Sequence, residues 1–493
     1  MFLTTSAPFI QQHELDMTCN HNCRKICYNP CRAQQIEIPE NDQARNFRVA
    51  EESVKRGVMA ICLTGGEPLI DSEHFFAVLD IYKTAGCYVS INSNAGLVTP
   101  GIADRLATTG LNSALISMHG LDARFEEFTE GNFRNAWNGM MLLHNAGIPV
   151  TPNFVATHYQ VGDLVGVGER LAKAGIKSMT ATPMLPSHGV AKHKQTILTP
   201  EDYKTYFESI REIRTFGIKI DSTLPIPPCV LTRLFPDTWQ DYLDVHSPRV
   251  CMAGRSFGVI SPDAIFRACI QAPYLPAYGG SIEENYEQSW QNANQWANLD
   301  LIPEDCKNCV ALNICGGGCR TGCMWDNNGS VSGTTMYMGK PLTTSEAQPF
   351  IDRITHGLPV NKDQVACDHW CEDVPNFPFP IKNYPAFVFK FKPSVKFRNE
   401  SGYFVIFNTA NQSFSVFKRA APTLSNFATN DPKVASLLLG MDAVDRLPPN
   451  SDWEEFKPAS LPANEFLPRL GQGLDSPDKV FCLRADTGER FFF

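Results

Sequence analysis

The sequence lacks three features that would point to common classes of protein. No stretch approaches the roughly 20 consecutive apolar residues that cross a bilayer, so we expect no membrane insertion. Acidic residues outnumber basic ones, 52 to 43, and the formal net charge of −9 argues against bulk binding of nucleic acid through phosphate neutralisation. The first residues, MFLTTSAPFIQQHELD, lack the charged segment and apolar run of a secretory signal, so we expect a cytoplasmic, reducing environment.

Cysteine, in contrast, is abundant, with 17 residues in a chain of 493. A chain of this length does not need disulfides to compensate for a small core, and clustered thiols under reducing conditions most often hold metal. The first cluster reads CNHNCRKICYNPC over residues 19–31, with three residues between successive cysteines. From these residues alone, a structural zinc loop and an iron–sulfur site are both open.

Residues 43–186 alternate helical patterns with short apolar runs, such as SEHFFAVLDIYKTAG and AICLT. About six strand–helix units of this kind predict an α/β fold, a partial (β/α)6 TIM-like barrel with a parallel sheet. In such folds the working residues lie at the C-terminal ends of the strands. The first cysteine cluster lies there, directly after a first strand predicted at HELDMT.

The motif TGGEP follows the second predicted strand. Its glycines, Gly65 and Gly66, allow the backbone to approach a ligand closely, and Glu67 can accept hydrogen bonds from an amine. A cysteine loop followed by GGEP resembles the radical SAM superfamily. In that family three cysteines of a CxxxCxxC loop hold a [4Fe–4S] cluster whose fourth iron binds S-adenosylmethionine (SAM), and GGEP lies along the amino group of SAM.

The resemblance implies that the catalytic cluster is held by the first three cysteines of the loop, Cys19, Cys23 and Cys27. They read CxxxCxxxC, one residue longer than the family pattern in the second gap. The asparagine after the first cysteine and the tyrosine after the third match the family, which favours this register over one that ends at Cys31. A zinc loop would leave TGGEP without a role.

Polar residues at later strand ends contact SAM in the family. The implied cofactor-binding residues are Gly65, Gly66, Glu67, Pro68, Asn94, Ser117 and Asn153. A polar residue at a strand end can equally be a turn former. Both interpretations are therefore open for Asn94, Ser117 and Asn153. The same holds for His119, which could face substrate or cap the next helix.

The second half of the chain carries a denser set of cysteines. Residues 306–323 read CKNCVALNICGGGCRTGC, after a pair at Cys251 and Cys269 and before Cys367. This order resembles the SPASM extension of radical SAM enzymes, a loop-rich region that binds two auxiliary [4Fe–4S] clusters. Asp263 is followed by Ala264 where the extension usually has Asp-Gly.

The resemblance implies two further ligand sets. The outer cluster would use Cys306, Cys309, Cys315 and Cys367. The other would use Cys251, Cys269 and Cys319, with Cys229, Cys323 or no cysteine in the fourth position. The implied cofactors are therefore SAM and three [4Fe–4S] clusters. Cys31 and Cys371 have no assigned role, and each is either a bystander or a redox or hydrogen-donating thiol.

The chain divides into four predicted regions. They are a radical SAM partial barrel at 1–190, a helical linker at 191–245, an auxiliary cluster domain at 246–375 and a small α+β domain at 385–493. In the last region, apolar and basic residues alternate through PAFVFKFKPSVKFRNESGYFVIFN and predict strands. Its outline is similar to PqqD-like domains, which add a leader peptide as a strand to a sheet edge; a plain accessory sheet is the alternative.

These resemblances imply a peptide-modifying radical SAM/SPASM enzyme. A 5′-deoxyadenosyl radical would abstract hydrogen from a ribosomally made precursor peptide, and the auxiliary clusters would accept the remaining electron in an oxidative cross-link or side-chain modification. The alternatives are dehydrogenation of a small polar molecule and peptide epimerisation; a non-catalytic iron–sulfur carrier leaves TGGEP without a role. The implied partners are the precursor peptide and a reductase, flavodoxin or ferredoxin as electron donor.

Overall fold

The structure is a computed structural model of the chain. It describes residues 5–243 and 250–325 apart from 24–25, 28, 30–36, 38–41, 186–195, 225 and 273–274, then 341–356, 387–400, 403–410, 413–417, 426–429, 444–446, 481–483 and 490–492. In these ranges, no helix is long and apolar enough to span a membrane. The chain divides into two compact units, one of residues 4–347 and one that begins at residue 348.

The larger unit is built on one sheet of mostly parallel strands. The parallel strands are β1 (Ile10–Glu14), β2 (Ala60–Thr64), β3 (Tyr88–Ser93), β4 (Ser113–Ser117), β5 (Val150–Ala156), β6 (Ser178–Pro183) and β7 (Lys219–Asp221), side by side in chain order. The helices around them are α1 (Gln43–Lys55), α2 (Ser72–Thr84), α3 (Pro100–Thr108), α4 (Asp122–Thr129), α5 (Phe133–Asn145), α6 (Leu164–Lys173) and α7 (Pro200–Thr215). The described strands form an open sheet, so the predicted α/β partial barrel is confirmed.

The helices begin at capping residues that the sequence supplies. Asp42, Asp71 and Thr99 stand directly before α1, α2 and α3, and each side chain accepts a hydrogen bond from the backbone N–H three residues later. Such a cap satisfies one of the N–H groups that a helix end leaves without a partner. These caps fix where each strand–helix connection ends.

Two strands differ from the sequence prediction. β1 pairs Ile10 with Ala60 and ends at Glu14, so most of HELDMT is a connection rather than a strand. The parallel run also continues past residue 186, because β7 pairs with β6 from Ser178 opposite Lys219. β7 could not be recognised in the sequence, because three residues are too few to show an alternation of apolar and polar side chains.

After β7 the chain returns to the opposite edge of the same sheet. β8 (Phe257–Ile260) pairs in parallel with β1, and β9 (Ile265–Arg267) and β10 (Gly279–Ser281) follow in antiparallel order. The helices of this region are α8 (Pro228–Leu234), α9 (Ile282–Asn294), α10 (Glu304–Lys307), α11 (Leu312–Cys315), α12 (Arg320–Trp325) and α13 (Thr344–His356). One sheet therefore carries both the first cysteine loop and the strand before Cys269.

The turn between β8 and β9 contains the Asp-Ala pair noted in the sequence. Ala264 has a φ of 59°, in the left-handed region, and its N–H donates to Ser261 O at 2.9 Å. A side chain in this conformation costs roughly 1–2 kcal/mol. The Ala264 side chain is fully buried in the core that contains Phe266 and Trp290, and this packing offsets the backbone cost.

A buried ion pair joins the strand before the cysteine loop to the cysteine-rich region. Arg267 on β9 donates to the carboxylate of Glu14 on β1, and each side chain is 1% exposed. Arg267 also donates to Ile270 O at 2.9 Å. Burial raises the pKa of Glu14, while the positive charge of Arg267 opposes that rise. The pair ties β1 to the residues immediately before Cys269.

The unit that begins at residue 348 contains two antiparallel sheets among its described strands. The strands are β11 (Phe387–Phe391), β12 (Val395–Glu400), β13 (Tyr403–Asn408), β14 (Ser413–Phe417), β15 (Asn426–Thr429), β16 (Val444–Arg446), β17 (Phe481–Leu483) and β18 (Arg490–Phe492). One sheet has the order β15-β11-β16, and the other has the order β12-β13-β14-β17-β18. Strands β11 to β14 follow the apolar alternation of the sequence.

We expect Glu14→Gln to lower the free energy of unfolding by about 3–5 kcal/mol, because it leaves the Arg267 guanidinium buried without its counter-charge. The double variant with Arg267→Met should recover much of this loss, since neither charge is then buried alone. Urea unfolding of anaerobically prepared protein measures both.

Arg48→Met is the matched control for this prediction. Arg48 pairs with Glu283 at 2.8 Å, but the two side chains are 55% and 42% exposed, so the loss should stay below about 1 kcal/mol. Equal losses at the buried and the exposed pair would contradict the prediction.

Candidate active site and cysteine groups

The GGEP loop packs its backbone directly against the segment that leads into the first cysteine loop. Gly66 N–H donates to Asp16 O at 2.6 Å, and Glu67 N–H donates to Thr18 O at 2.8 Å. A Cβ atom at Gly65 would lie 2.1 Å from Asp16 O, and one at Gly66 would lie 1.8 Å from Thr18 O. No side chain fits at either position, so the close contact of the two loops requires both glycines.

The carboxylate of Glu67 connects this loop to the end of β3. It is 1% exposed and accepts hydrogen bonds from Ser93 Oγ at 2.8 Å, Asn94 N–H at 2.8 Å and Leu69 N–H at 3.2 Å. Burial raises the pKa of Glu67 to about 7, although these donors favour the charged form. The carboxylate thus holds two strand ends together, and its expected bond to the SAM amine stays a prediction.

The first cysteine loop directs amide groups at its sulfur atoms. Cys27 N–H donates to Cys23 O at 3.1 Å and closes a turn between these residues. His21 N–H donates to Cys19 Sγ, and Asn29 N–H donates to Cys27 Sγ, both at 3.4 Å. Hydrogen bonds to ligand sulfurs stabilise the thiolate form and tune the potential of a bound cluster.

The end of α4 and the residues that follow it support the same loop. Thr129 O accepts a hydrogen bond from Asn22 N–H at 2.9 Å and lies 3.7 Å from Cys23 Sγ. A Cβ atom at Gly131 would lie 2.3 Å from His21 Nε2, so a glycine is needed there for the imidazole to fit. We assigned no role to this segment from the sequence, because an isolated glycine does not indicate what it contacts.

Asn94 directly follows β3 and Ser117 is the last residue of β4, whereas Asn153 lies in the middle of β5. Asn94 Nδ2 donates to Asn20 Oδ1 at 2.7 Å and lies 3.8 Å from Cys19 Sγ, so Asn94 contacts the cysteine loop directly. Ser117 stands opposite Asn153 in the strand register. The placement brings all three to the loop end of the sheet, and their contacts with SAM stay predictions.

Asn153 has two hydroxyl partners that we did not identify from the sequence. Its Oδ1 accepts hydrogen bonds from Thr180 Oγ1 at 2.8 Å and from Thr182 Oγ1 at 2.9 Å. Both threonines lie on β6, and residues two apart on a strand face the same side. The alternation of polar residues along β6 was therefore the sequence feature from which the two threonine partners could have been predicted.

His119, for which two roles were open, is held inside the sheet. Its Nδ1 accepts a hydrogen bond from Val155 N–H at 3.2 Å. Burial, with a smaller contribution from the charge of His21, lowers the pKa of His119 to about 3. The imidazole is therefore neutral near neutral pH and supplies no positive charge to a ligand.

Three cysteines of the larger unit form an inner group, defined as Cys251, Cys269 and Cys319. Burial and the neighbouring thiols Cys251 and Cys319 raise the pKa of Cys269 to about 12. Burial and Cys251 raise the pKa of Cys319 to about 11. Cys251 and Cys269 pack against the core that contains Phe266 and Trp290. These three are the residues that the resemblance to the SPASM extension implied as one ligand set, and that ligand set stays a prediction.

Four further cysteines form an outer group, defined as Cys229, Cys306, Cys309 and Cys315. Burial, together with the neighbouring thiols Cys306 and Cys309, raises the pKa of Cys229 to about 12. Burial and the neighbouring Cys229 raise the pKa of Cys315. Cys31, Cys367 and Cys371 lie outside the described residues, and Cys323 lies on α12 with a side chain that the structure does not describe.

These thiols fit iron–sulfur clusters as a donor set. Thiolate sulfur is the donor that iron–sulfur clusters take, so the residues of both groups have the right chemistry for such clusters.

Buried positive charge lies beside both groups. Arg255 and Arg320 are 2% and 3% exposed and donate to Ala297 O at 2.9 and 3.3 Å. Burial and the charge of Arg320 lower the pKa of Arg255 to about 9, whereas Cys251 opposes this shift. Nε of Arg320 is buried and meets no acceptor among the described residues. A thiolate-bound cluster is an anion, so it would offset both charges.

Comparisons with known proteins agree with this arrangement. The family model of the Radical SAM superfamily matches residues 17–163, which contain the first cysteine loop and GGEP. A PqqA peptide cyclase from Ruegeria pomeroyi is 25% identical over 328 residues, which cover 64% of this chain and 84% of that protein. An AdoMet-dependent heme synthase from Methanosarcina barkeri is 23% identical over 340 residues, which cover 65% and 93%.

Solved structures share the fold at low sequence identity. Native anSMEcpe with bound AdoMet has a TM-score of 0.53 at 16% identity and covers 70% of this chain and 96% of its own. Streptococcus suis SuiB bound to precursor peptide SuiA has a TM-score of 0.51 at 15% identity, with 69% and 76% covered. The match over residues 17–163 indicates a radical SAM domain, which supports an enzyme that uses SAM and a [4Fe–4S] cluster.

We expect Gly66→Ala to lower the free energy of unfolding by about 1–3 kcal/mol, because the new methyl group overlaps the Thr18 carbonyl. The displaced loop should also hold less iron. Urea unfolding and iron analysis after reconstitution measure the two effects. Gly166→Ala on α6 is the control, since nothing lies within 4 Å of its added Cβ. Identical behaviour of the two variants would contradict the role assigned to the loop contact.

Glu67 should make stability depend on pH. Its folded-state pKa of about 7 lies above the ordinary value of 4.5, so the folded chain retains a proton that the unfolded chain releases. The resulting stabilisation is complete below about pH 4.5 and is lost as the pH rises to about 7. Between these two pH values we expect the free energy of unfolding of the unaltered chain to fall by about 1–3 kcal/mol. The Glu67→Gln variant should not show this fall.

Urea unfolding at several pH values tests this prediction. Glu73→Gln is the control, because the Glu73 side chain is 78% exposed and should leave the decline intact. If the free energy of unfolding of the Glu67→Gln variant falls by the same amount, groups other than Glu67 cause the pH dependence.

Proposed function

We propose that this radical SAM enzyme modifies a ribosomally made precursor peptide through an oxidative cross-link or another side-chain oxidation. The observation that carries the proposal is the presence of the inner and outer cysteine groups in the same unit as the radical SAM domain. Two auxiliary clusters at these groups can accept an electron from a substrate, which a redox-neutral rearrangement does not need. The peptide cyclase relative, and the fold shared with a protein solved with its precursor peptide, support a peptide substrate.

The chemistry must balance in electrons. With both cofactors bound, SAM cleavage by one electron supplies methionine and a 5′-deoxyadenosyl radical, which takes one hydrogen atom from the substrate. Cross-link formation then removes a proton and a second electron from the peptide, which therefore loses two hydrogens in total. We propose that a reductase, flavodoxin or ferredoxin supplies the first electron and that an auxiliary cluster accepts the second.

The chain itself positions the reacting groups. The contact between the glycines and Asp16 to Thr18 fixes the cysteine loop at the end of β2. Polar groups lie nearby at Asn94 after β3, at Ser117 at the end of β4 and at Asn153 opposite Ser117 on β5. We propose that these three residues orient SAM. Fixed geometry of this kind can supply much of the rate, because it holds one C–H bond in reach of the reactive carbon.

We further propose that a leader peptide binds to the unit that begins at residue 348. Among the described strands, β12 is an edge of the five-stranded sheet, because it pairs with β13 alone. Extended peptides add to such edges through backbone hydrogen bonds. Lys396 and Arg398 on β12 would favour an acidic stretch of the leader.

The experiment is to prepare the chain anaerobically, reconstitute it and compare it with a variant that carries Cys19→Ala, Cys23→Ala and Cys27→Ala. We expect about twelve irons per chain, falling to about eight in the variant, as three cubane clusters would give. Formation of 5′-deoxyadenosine from SAM under reductant should be lost. Zinc in place of iron, or cleavage that survives the triple change, would refute the assignment of this loop.

Mass spectrometry of a co-expressed substrate then separates the candidate reactions. The probes are short peptides encoded beside the gene for this chain. A cross-link lowers the peptide mass by two hydrogens, whereas epimerisation leaves the mass unchanged and incorporates deuterium from heavy water. No change in any such peptide, with 5′-deoxyadenosine still formed, would favour dehydrogenation of a small polar molecule.

A further inference from the structure

We propose that His21 is a positioning residue for SAM cleavage, because its buried side chain fixes the first cysteine loop and the amide group that faces Cys19. The imidazole lies in a socket, defined as Gly96, Phe125 and Gly131. The inference rests on the proposed function, since it presupposes that this loop holds the catalytic cluster. From the sequence we assigned no role to His21.

The imidazole of His21 is buried although it belongs to a loop. The residue is 5% exposed. The ring of Phe125, which is fully buried on α4, meets it edge to face, with the ring centroids 5.9 Å apart and the ring planes at 80°. Aromatic pairs in this geometry are stabilised beyond the area that they bury. The side chain is therefore held by the fold, and it holds the loop backbone in turn.

Two glycines make room for this ring. A Cβ atom at Gly131 would lie 2.3, 2.4 and 2.5 Å from Nε2, Cε1 and Cδ2 of His21. A Cβ atom at Gly96 would lie 3.3 Å from the same Nε2. Neither glycine has a φ in the left-handed region, so the backbone conformation does not require a glycine at either position. The space that the imidazole occupies is what requires them.

The residues on either side of His21 are attached less firmly. Asn20 is exposed, and its Oδ1 accepts a hydrogen bond from Asn94 Nδ2 at 2.7 Å. Asn22 is half-buried, and its Nδ2 donates to Oε2 of the exposed Glu130 at 2.8 Å. Hydrogen bonds that are open to solvent contribute little, because water competes for the same groups. The buried imidazole is therefore the main attachment of this part of the loop.

The backbone amide of His21 links the socket to the first cysteine. It donates to Cys19 Sγ at 3.4 Å. Such a bond stabilises negative charge on the sulfur, so it raises the reduction potential of a cluster that the thiolate binds. A displaced imidazole carries this amide away from the sulfur. The socket therefore sets the ease with which the first electron enters, besides the position of the loop.

The test compares Gly131→Ala, His21→Ala and the variant with both changes, each as the full chain after anaerobic reconstitution. We expect either single change to lower the reduction potential of the cluster whose electron paramagnetic resonance spectrum responds to SAM. Formation of 5′-deoxyadenosine should slow by roughly 10-fold or more, as changes beside metal ligands commonly cause. The double variant should perform no worse than His21→Ala, because the added methyl group then enters the vacated space.

Gly101→Ala on α3 is the matched control, since nothing lies within 4 Å of its added Cβ, and it should keep the potential and the rate of the parent. The proposal is overturned if either single variant keeps the potential and the spectrum of the parent, or if the two single losses add up in the double variant. The proposed function survives both results when the unaltered chain forms 5′-deoxyadenosine. An unaltered chain that binds no iron would refute the proposed function and this inference together.

Discussion

The close approach of two backbone segments, Gly65 to Gly66 against Asp16 to Thr18, is the constraint on which the catalytic end of the molecule depends. It places the cysteine loop and GGEP within hydrogen-bond distance of each other, which no residue with a side chain would allow. The buried carboxylate of Glu67 connects GGEP to the end of β3. It accepts three hydrogen bonds, from Ser93, Asn94 and Leu69. Asn94, one of the donors, also bonds to Asn20 in the cysteine loop, so the contacts form a closed circuit.

A second constraint acts between β1 and the strands β8 and β9, on the side of β1 away from β2. β1 leads into the first cysteine loop, and its partner β8 leads into the hairpin that ends before Cys269. The buried pair of Glu14 and Arg267 crosses from β1 to β9, and so fixes the inner cysteine group relative to the first loop. A buried ion pair adds little net stability, but it is costly to break. We interpret this ion pair as a contact that keeps the first cysteine loop and the inner cysteine group at a set separation.

The repeating part of this architecture could be predicted from the sequence, because periodic apolar residues and capping residues determine it locally. Strands β2 to β6 and their helices follow such patterns, and TGGEP is specific enough to identify the site. Contacts between distant segments could not be predicted in this way. The spacing around His21 carries no information about Gly131, and the acceptor role of Glu67 towards Ser93 depends on strand register. β7 was missed because three residues are too few to show a period.

The cysteine-rich region shows why its ligands resist assignment by spacing. Its helices α10 to α12 are short, and short helices contribute little stability of their own. Its buried thiols have raised pKa values and so carry protons in the chain without metal. Arg255 and Arg320 place positive charge in the same interior, where it is expensive to bury alone. Protonated thiols cannot balance this charge, whereas thiolates bound to iron can. On the proposed function, the folding of this region and the binding of its clusters are therefore energetically coupled.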